Sequence, residues 1–464
     1  MEAALGVYRP RHPDKTPFYR CLEDYWEEFQ RGYEVLFESV YGPLRGVVRR
    51  AVERFLKCGI LHYGFARLKC GSCGRNRFLA YSCRTRRLCP SCAAKRVAAF
   101  TDWVAAEVLE PVSHRQVVFT IPRVLRPVFR KNRKLLGLLC RCAWQTLREM
   151  HQGAFPEEDV RGAAVIASQT AGDQIGWHPH LHALVPDAVW TRDGRRLPIS
   201  YLDPQALTRI FQGKVLPMLV NQRCLSREFA ARLLTWRHSG FQVYRAESAG
   251  PDDRPALERL CAYIGRAVFA SSRVEYDPSG GAVHYQTAKG AQLSLDALEW
   301  IALVTQHVPD PGEHTRHYFG YYSNAARGKR RKTVGADAGQ AARDGADPAA
   351  GGADGRGHDS QSRDFRPECR RSWARLIQKV YEVDPLICPD CGGRLEIVAF
   401  IDAPATIRRI LEHLDLWALP ARPPPAPLVQ GKIDALTARA DGNRPAPPED
   451  ADGVFVDDVP VYAG

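Results

Sequence analysis

No long hydrophobic run occurs in the sequence, and this absence excludes a helix that spans a membrane. The longest apolar stretches, such as 135–143, are interrupted by Gly and Arg, whereas a spanning helix needs about 18 apolar residues or more. The amino terminus also lacks a basic end followed by an apolar stretch, which is the pattern of a secretory signal. No P-loop for nucleotide phosphates is present, so we expect no ATP-driven step in the chain itself. These absences predict a cytoplasmic protein without a membrane partner.

Acidic residues are in deficit: 52 Asp and Glu stand against 65 Lys and Arg, which gives a formal net charge of +13. Basic residues that neutralise phosphates release condensed counterions, so this excess favours a polyanionic partner such as nucleic acid. A solubilising surface is the alternative interpretation. Hydrophobic residues make up 45% of the 464 residues, enough for a packed core, and the length predicts about two to four domains.

Hydrophobic spacing predicts an α+β protein. Helical periodicity marks 16–57, 93–109, 131–151 and 256–269, whereas 115–121, 163–170 and 179–186 resemble strands of an antiparallel sheet. Gly, Ala, Asp and Arg dominate 333–366, which is typical of a disordered linker. The predicted order is a helical region at 1–57, a cysteine-rich domain at 58–110, a domain with a central antiparallel sheet and flanking helices at 111–332, the linker, a small C-terminal domain at 367–418 and a flexible tail at 419–464.

Fourteen cysteines in a chain expected to lie in the reducing cytoplasm indicate metal ligands or buried thiols rather than disulfides. Cys70 and Cys73 are followed, after fifteen residues, by Cys89 and Cys92. Two such pairs can present four thiolates to one Zn²⁺. The segment 58–110 is therefore predicted to be a zinc ribbon that folds with its metal.

Cys58 and Cys83 lie in the same segment, and the spacing leaves their role open. They could bind a second metal with help from His62, substitute in the first site, or act as small buried packing residues. Cations surround these cysteines and recur beside three tyrosines, Tyr318, Tyr321 and Tyr322, where aromatic stacking and phosphate pairing could hold a single strand. The cations predicted to contact DNA are Arg84, Arg86, Arg87, Arg327, Lys329, Arg330 and Arg331.

A third CxxC pair, Cys388 and Cys391, is half of a possible zinc site near the C-terminus. Cys369 and His413 are possible partners, although their separations are long and irregular. The alternative is a turn with free thiols. We therefore expect the small C-terminal domain to resemble a zinc knuckle, with its metal content unresolved by the sequence.

The sharpest catalytic signal is the strand at 177–185, which contains His180 and His182. Alternate side chains of a strand share a face, so the two imidazoles point together and can chelate one divalent cation. A third ligand is needed, and the turn near 172–176 could bring Gln169 alongside His180. Asp173 and His178 are rivals for that position.

Several motifs in one order resemble a known family. They include Gln-Val-Val-Phe-Thr-Ile-Pro at 116–122, Ser-Gln-Thr at 168–170, His-Leu-His at 180–182, Leu-Cys-Ala-Tyr-Ile-Gly-Arg at 260–266, His-Tyr-Phe-Gly-Tyr-Tyr-Ser-Asn at 317–324, Trp-Ala-Arg-Leu-Ile at 373–377 and Cys-Pro-Asp-Cys-Gly-Gly at 388–393. Together they resemble the HUH-type transposases of IS91-like and common-region elements, which move by rolling-circle transposition. The resemblance covers roughly 20–415 apart from the linker, and it identifies 111–332 as an HUH nuclease domain.

The resemblance implies a mechanism. His180, His182 and a third ligand would hold Mg²⁺ or Mn²⁺, and Tyr263 would attack a phosphate of single-stranded DNA to give a 5′-phosphotyrosine and a free 3′-hydroxyl. Arg266, one helical turn after Tyr263, could contact the phosphate or be a surface residue. Some members carry two tyrosines four residues apart on this helix, but position 259 is Arg259, so the chain resembles a single-tyrosine member.

The lead hypothesis is thus a nucleoid-associated transposase that relies on a host helicase for duplex unwinding. A plasmid replication initiator or relaxase would share the same chemistry. A zinc-ribbon DNA-binding regulator without enzymatic activity is the alternative from a different class, and it would require His180, His182 and Tyr263 to be structural.

Overall fold

The computed structural model describes residues 13–199, 202–236, 239–332 and 386–418. The predicted linker at 333–366, Cys369, the motif at 373–377 and the predicted tail at 419–464 lie outside the described residues. The helices are α1 (Pro17–Leu36), α2 (Glu38–Tyr41), α3 (Gly46–Phe55), α4 (Pro90–Glu107), α5 (Arg126–Lys131), α6 (Leu135–Ala154), α7 (Pro204–Asn221), α8 (Arg227–Leu234), α9 (Arg254–Gly265), α10 (Ala297–Thr305), α11 (324–332) and α12 (Pro404–His413).

The strands are β1 (Phe65–Cys70), β2 (Asn76–Ala80), β3 (His114–Thr120), β4 (Val160–Arg161), β5 (Ala163–Ala171), β6 (Trp177–Pro186), β7 (Ala188–Thr191), β8 (Arg196–Pro198), β9 (Gln242–Ala249), β10 (Val274–Asp277), β11 (Ala282–Gln286), β12 (Gln292–Asp296), β13 (Arg316–Gly320) and β14 (Leu395–Ile401). The mixture of helices with antiparallel sheets confirms the coarse α+β prediction. No helix of the described residues is long and apolar enough to cross a membrane.

A five-stranded antiparallel sheet forms the centre, with the order β13-β5-β6-β3-β9. Strands β5 and β6 are buried along their whole length, because helices cover both faces of the sheet. Helices α6 and α7 share a hydrophobic core with one face, and α4 and α9 share another core with the opposite face. The strands predicted at 115–121, 163–170 and 179–186 are confirmed as β3, β5 and β6.

The N-terminal helices pack on a separate three-stranded sheet. Thr16 caps α1 by accepting a hydrogen bond from the backbone of Tyr19, and Pro17 occupies the first turn, where a missing N–H has no cost. The apolar side of α1 packs with α3, with the meander β10-β11-β12 and with α10. Trp300 of α10 is fully buried at the centre of this core.

The cysteine-rich segment forms a hairpin, β1-β2, which the C-terminal segment completes. Strand β14 pairs antiparallel with the free edge of β1, with Phe65 opposite Ile401 and Cys70 opposite Leu395. The described part of the predicted C-terminal domain therefore adds a strand to the N-terminal hairpin instead of building its own sheet. This pairing satisfies an edge that would otherwise expose unpaired backbone groups.

Candidate active site and metal centres

The histidines of β6 lie on the sheet face that α9 covers. Leu181 and Ala183 point into the core under α6 and α7, so the alternation of the strand turns His180 and His182 to the opposite face. The ring centroids of His180 and His182 are 4.8 Å apart, and His182 is fully buried. The predicted sharing of one face is confirmed.

Hydrogen bonds orient both rings. His180 Nδ1 lies 2.7 Å from the carbonyl oxygen of His178 and can only donate to it, which leaves Nε2 as the nitrogen with a lone pair. His182 Nδ1 lies 2.6 Å from the side-chain amide of Gln116, and Nε2 of His182 is buried without a hydrogen-bond partner among the described residues. An amide can present either its N–H or its oxygen, so Gln116 can support either tautomer of His182.

Burial keeps His182 neutral. Desolvation holds the pKa of His182 well below its usual range, and the electrostatic influence of the His180 imidazole and the Arg266 guanidinium lowers this pKa further. A metal ligand must be a neutral imidazole, because the ligand nitrogen donates its lone pair to the ion. The environment therefore favours the form of His182 that binds metal.

Tyr263 comes from α9, which lies across the histidine face. Leu260, Cys261 and Ile264 of this helix are buried in the core that α9 shares with the sheet, and Tyr263 lies beside them. The Tyr263 ring centroid is 5.0 Å from that of His182, with an interplanar angle of 84°. The helix thus places a phenol against the histidine pair.

Arg266 and Gln169 join the end of α9 to the sheet. The Arg266 guanidinium lies 4.7 Å from the Tyr263 ring centroid, and its Nε donates to Gln169 Oε1 at 3.1 Å. The amide nitrogen of Gln169 donates to the carbonyls of Tyr263 and Ile264, at 3.1 and 3.3 Å. These carbonyls belong to the last turn of the helix, where no intrahelical donor remains.

The third metal ligand stays a prediction. Gln169 is directly opposite His180 in the register, as expected, but its amide is used at both ends by α9 and Arg266. Asp173 accepts a hydrogen bond from the backbone of Ala288. His178 lies on the face of His180, with ring centroids 5.1 Å apart. Among the described residues, three or more ligand atoms of His, Cys, Asp or Glu approach within 4.8 Å of one another only in two cysteine clusters.

The first cluster brings together Cys58, Cys83, Cys89 and Cys92, all of them buried. Their sulfurs are 3.6 to 3.8 Å apart in the pairs that touch. A tetrahedron with Zn–S bonds of about 2.3 Å has edges of about 3.8 Å, so the spacing fits Zn²⁺. His62 does not take part, since its ring contacts the backbone carbonyl of Trp417.

The second cluster brings together Cys70, Cys73, Cys388 and Cys391. Cys70 and Cys391 have sulfurs 3.5 Å apart, and Cys73 and Cys388 have sulfurs 3.7 Å apart. The backbone N–H of Cys73 is the main cause that lowers the pKa of Cys70 to about 6, which favours the thiolate. This spacing also fits Zn²⁺.

The prediction of one zinc bound by Cys70, Cys73, Cys89 and Cys92 is wrong. The chain turns after Cys70 and returns along β2, so that Tyr81 pairs with Gly59 and Gly64 at the far end of the hairpin. A strand of six residues is about 20 Å long, which separates the two CxxC pairs. Each pair therefore finds different partners, and the expected partners of Cys388 are replaced by cysteines of the N-terminal hairpin.

The two turns of the second cluster have the same backbone form. Gly74 donates to the carbonyl of Cys70 at 3.0 Å, and Gly392 donates to the carbonyl of Cys388 at 2.9 Å. A Cβ added at Gly393 would lie 2.4 Å from the hydroxyl oxygen of Ser72, so the close approach of the turns requires glycine. Asp390 also forms ion pairs with the hairpin through Arg75 and Arg77.

Most of the cations predicted to contact DNA make contacts within the protein, whereas the side chains of Arg84 and Lys329 are exposed. Arg87 donates to the hydroxyl of Thr170 and the carbonyl of Ser168, and Arg86 donates to the carbonyls of Asp310 and Glu313. The carbonyl of Arg84 accepts from Arg96. The later run lies on α11, where Arg327 stacks near Trp103 and Tyr318, Arg330 stacks on Tyr321, Arg331 pairs with Glu107 and Lys329 is exposed.

Sequence reasoning missed three contributors to the site. Gln116 is a polar residue near the start of β3, and it was a usable signal because it falls on the face that also carries His182. Arg96 and Arg316 lie near Arg266, but they are distant in sequence and belong to no motif. Only the packing of α4 and β13 brings them together.

Two family models match the chain. The transposase zinc-binding domain matches residues 21–121, and the putative transposase domain matches residues 163–330. Cys388 and Cys391 lie outside both matches. No solved structure matches the chain.

Two curated relatives are also transposases by their descriptions. The putative transposase y4qJ of Sinorhizobium fredii is 28% identical over 328 residues, which cover 64% of this chain and 80% of the relative. The transposase for insertion sequence element IS801 of Pseudomonas savastanoi pv. phaseolicola is 25% identical over 381 residues, which cover 78% of this chain and 85% of the relative. With its zinc-binding domain followed by a transposase domain, the chain belongs to the IS91-like transposase family.

Proposed function

We propose that this transposase cuts and rejoins single-stranded DNA through a covalent bond to Tyr263, as in rolling-circle transposition by HUH nucleases. One observation carries the proposal: the Tyr263 ring lies 5.0 Å from His182, on the sheet face that His180 shares. The proposed nucleophile on α9 and the histidine pair on β6 are therefore already in contact, and no loop has to move to bring them together.

The chemistry balances without ATP. The Tyr263 hydroxyl loses its proton and its oxygen bonds to phosphorus, while the bond from phosphorus to the 3′-oxygen breaks and that oxygen takes up a proton. The products are a 5′-phosphotyrosine and a free 3′-hydroxyl. Because the phosphodiester energy is kept in the covalent bond, attack by a 3′-hydroxyl reverses the step and joins strands. Arg266, stacked on Tyr263, supplies positive charge where the phosphate would enter.

The residues present fit a divalent cation. His180 has its Nδ1 proton committed to a carbonyl, and His182 is held neutral with Nε2 lacking a partner among the described residues. His180 and His182 would hold Mg²⁺ or Mn²⁺, with Gln169 or His178 as the third protein ligand. The ion would polarise the scissile phosphate and offset charge in the transition state.

Zinc has a separate, structural role in this proposal. Both cysteine clusters have the sulfur spacing of a tetrahedral Cys₄ site, and closed sites of this type stabilise folds and leave no position for a substrate. We infer one Zn²⁺ per cluster and two per chain. The domain boundaries at 58–110 and 111–332 remain part of the proposal, with the second zinc joining 386–418 to the first of these domains.

A cleavage assay tests the function. Purified protein is incubated with labelled single strands from the element ends and Mn²⁺, and denaturing gels detect a covalent adduct. We expect an adduct from the parent chain, none from Tyr263→Phe, and none when Mn²⁺ is left out. Tyr63→Phe, which changes an exposed tyrosine of the zinc-binding domain, is the matched control and keeps the adduct.

Two results would contradict the proposal. An adduct that persists in Tyr263→Phe would assign the nucleophile to another residue. Tight DNA binding by the parent chain, with no adduct on any end sequence, would favour a DNA-binding regulator. A replication initiator would form the adduct but act on a plasmid origin instead of element ends.

A further inference from the structure

A cavity of about 230 Å³ lies beside the end of α9, between the first turns of α4 and the start of β13. Its walls include five arginines, and no Asp or Glu lines it. The five are Arg86, Arg87, Arg96, Arg266 and Arg316. They come from three segments that are far apart in the sequence, so the cavity exists only in the folded chain.

These arginines lack acidic partners. Among the described residues, none of the five forms an ion pair, and those with hydrogen bonds use carbonyl, hydroxyl or amide oxygens. Burial, together with the charge of neighbouring arginines, lowers the pKa of Arg87 and of Arg316 to about 10, and Glu313 offsets part of this effect at Arg87. Partly buried positive charges that form no ion pair and face one another across a cavity repel each other, so the cluster is suited to an anion that enters the cavity.

The cavity adjoins the proposed nucleophile. Arg266 lines the cavity and also stacks on Tyr263. Arg316 lies opposite Ala167 on β5, and Ala167 lies opposite His182 on β6. Strand spacing places Arg316 about 10 Å from His182 on the same face of the sheet. A ligand in the cavity would therefore sit next to the reacting phosphate and not on it.

We propose that the cavity binds a second phosphate of the DNA strand, adjacent to the phosphate that Tyr263 attacks. This inference rests on the proposed function and adds a subsite to it. Guanidinium groups match phosphate oxygens through paired N–H donors, which a lysine cannot reproduce. Arg96 and Arg316 are positioning residues in this scheme, because they hold the strand in register while Tyr263 reacts.

Arg316 has donors available for this contact. Its guanidinium stacks on Phe100 at 3.8 Å and makes no hydrogen bond to a described residue. A Cβ added at Gly265 would lie 2.9 Å from the Arg316 guanidinium, so glycine at the end of α9 leaves room for it. Arg96 uses one guanidinium nitrogen for the carbonyl of Arg84 and keeps the other donors.

The test measures binding separately from cleavage. All variants carry Tyr263→Phe, and fluorescence anisotropy follows a labelled oligo(dT) strand without added divalent metal at several salt concentrations. We expect Arg96→Gln and Arg316→Gln to weaken binding at low salt by about tenfold each. Loss of one phosphate contact should also reduce the slope of log affinity against log salt by about 0.7. Arg209→Gln, an exposed arginine on α7 behind the sheet, is the matched control and leaves both values unchanged.

A second measurement locates the phosphate. Element-end strands with a neutral methylphosphonate at one position are compared with the unmodified strand. A methylphosphonate at the subsite position should weaken DNA binding by the parent. The same modification should leave the affinity of Arg316→Gln unchanged and should weaken binding by Arg316→Lys in part. Zinc content and thermal unfolding of each variant establish that it is folded.

The outcomes separate this inference from the proposed function. Unchanged salt slopes in folded Arg96→Gln and Arg316→Gln would overturn it, as would a full methylphosphonate effect in Arg316→Gln. The inference would also be overturned if inorganic phosphate bound to the chain without displacing the DNA strand. A chain that forms no adduct but shows the expected salt slopes would contradict the nuclease proposal alone.

Discussion

At the residue scale, Gln116 controls the orientation of His182. Its amide is the hydrogen-bond partner of His182 Nδ1, and Nε2 is the nitrogen left for a metal. Groups that orient a ligating histidine typically change metal affinity by about 10- to 100-fold when removed. We therefore expect Gln116→Leu to raise the Mn²⁺ concentration for half-maximal adduct formation by about that factor, measured by titrating Mn²⁺ in the cleavage assay.

The comparison with Gln116→Glu makes this prediction specific. A carboxylate can accept the Nδ1 proton of His182, so this variant should retain much more activity than Gln116→Leu. Gln292→Leu, at an exposed position of β12, is the control for the substitution itself. An unchanged Mn²⁺ requirement in Gln116→Leu would show that His182 needs no support from β3.

The candidate catalytic residues were named from the sequence, the histidines by a local rule and Tyr263 through the family resemblance. The two-residue period of a strand placed His180 and His182 on one face. Apolar spacing predicted a helix at 256–269 around Tyr263, and the observed helix α9 begins at Arg254 and ends at Gly265. The partners of these residues could not be found in this way. Gln169 bonds to the end of α9, 94 residues further along the chain, and this contact depends on helix packing.

At the element scale, the pairing of β14 with β1 decides which cysteines share a metal. Spacing alone suggested that neighbouring CxxC pairs act together, but Cys70 meets Cys391 across 321 residues. Spacing carries no information on contacts of that range. The length of the hairpin carries this information, because it separates the turn at Cys70 from the turn at Cys89.

The second cluster leads to a prediction about metal content. We expect two Zn²⁺ per parent chain and one in the double variant Cys388→Ser and Cys391→Ser, measured by inductively coupled plasma mass spectrometry. Replacing zinc by Co²⁺ should give the absorption of tetrahedral thiolate sites, at about half intensity in the double variant. Hydrogen exchange in β14 and β1 should accelerate, because the metal no longer joins the strands.

Cys224→Ser is the matched control, because this cysteine is only partly buried and belongs to neither cluster. This variant should keep two zinc ions and the slow hydrogen exchange of β14. The prediction fails if the parent chain binds a single zinc, or if the double variant still binds two. The first result would leave the cysteines of one cluster as free thiols.

At the scale of the whole molecule, buried charges join the zinc-binding segment, the N-terminal helices and the central sheet. Arg133 forms a buried ion pair with Glu313, and Arg45 pairs with Asp310 in the same segment. Arg86 donates to carbonyls of this segment as well. The segment 306–315 therefore connects regions that the sequence assigned to separate domains, and unfolding should involve them together.

Buried histidines make the stability of this assembly depend on pH. Burial lowers the pKa of His114 and of His151 to about 4, and that of His307 to about 3, against 6.5 for a free imidazole. The folded pKa values are depressed, so the unfolded chain binds protons that the folded chain does not. The stability from these groups is present above pH 6.5 and is lost as pH falls towards 4, by up to about 1.4 kcal/mol per histidine and pH unit.

His151 offers the cleanest test of this dependence. Both of its ring nitrogens are buried without a hydrogen-bond partner among the described residues, so a leucine can replace it without breaking a bond. We expect His151→Leu to lose less stability than the parent between pH 6.5 and 5, by about 1 kcal/mol per pH unit, in urea unfolding followed by circular dichroism. His284→Leu, with an exposed side chain on β11, is the control and should follow the parent. Acid protonation of the zinc thiolates affects all three proteins alike and therefore cancels in the comparison. If the free energy of unfolding of His151→Leu and of the parent fell in parallel with pH, His151 would take up its proton in the folded chain as it does in the unfolded chain.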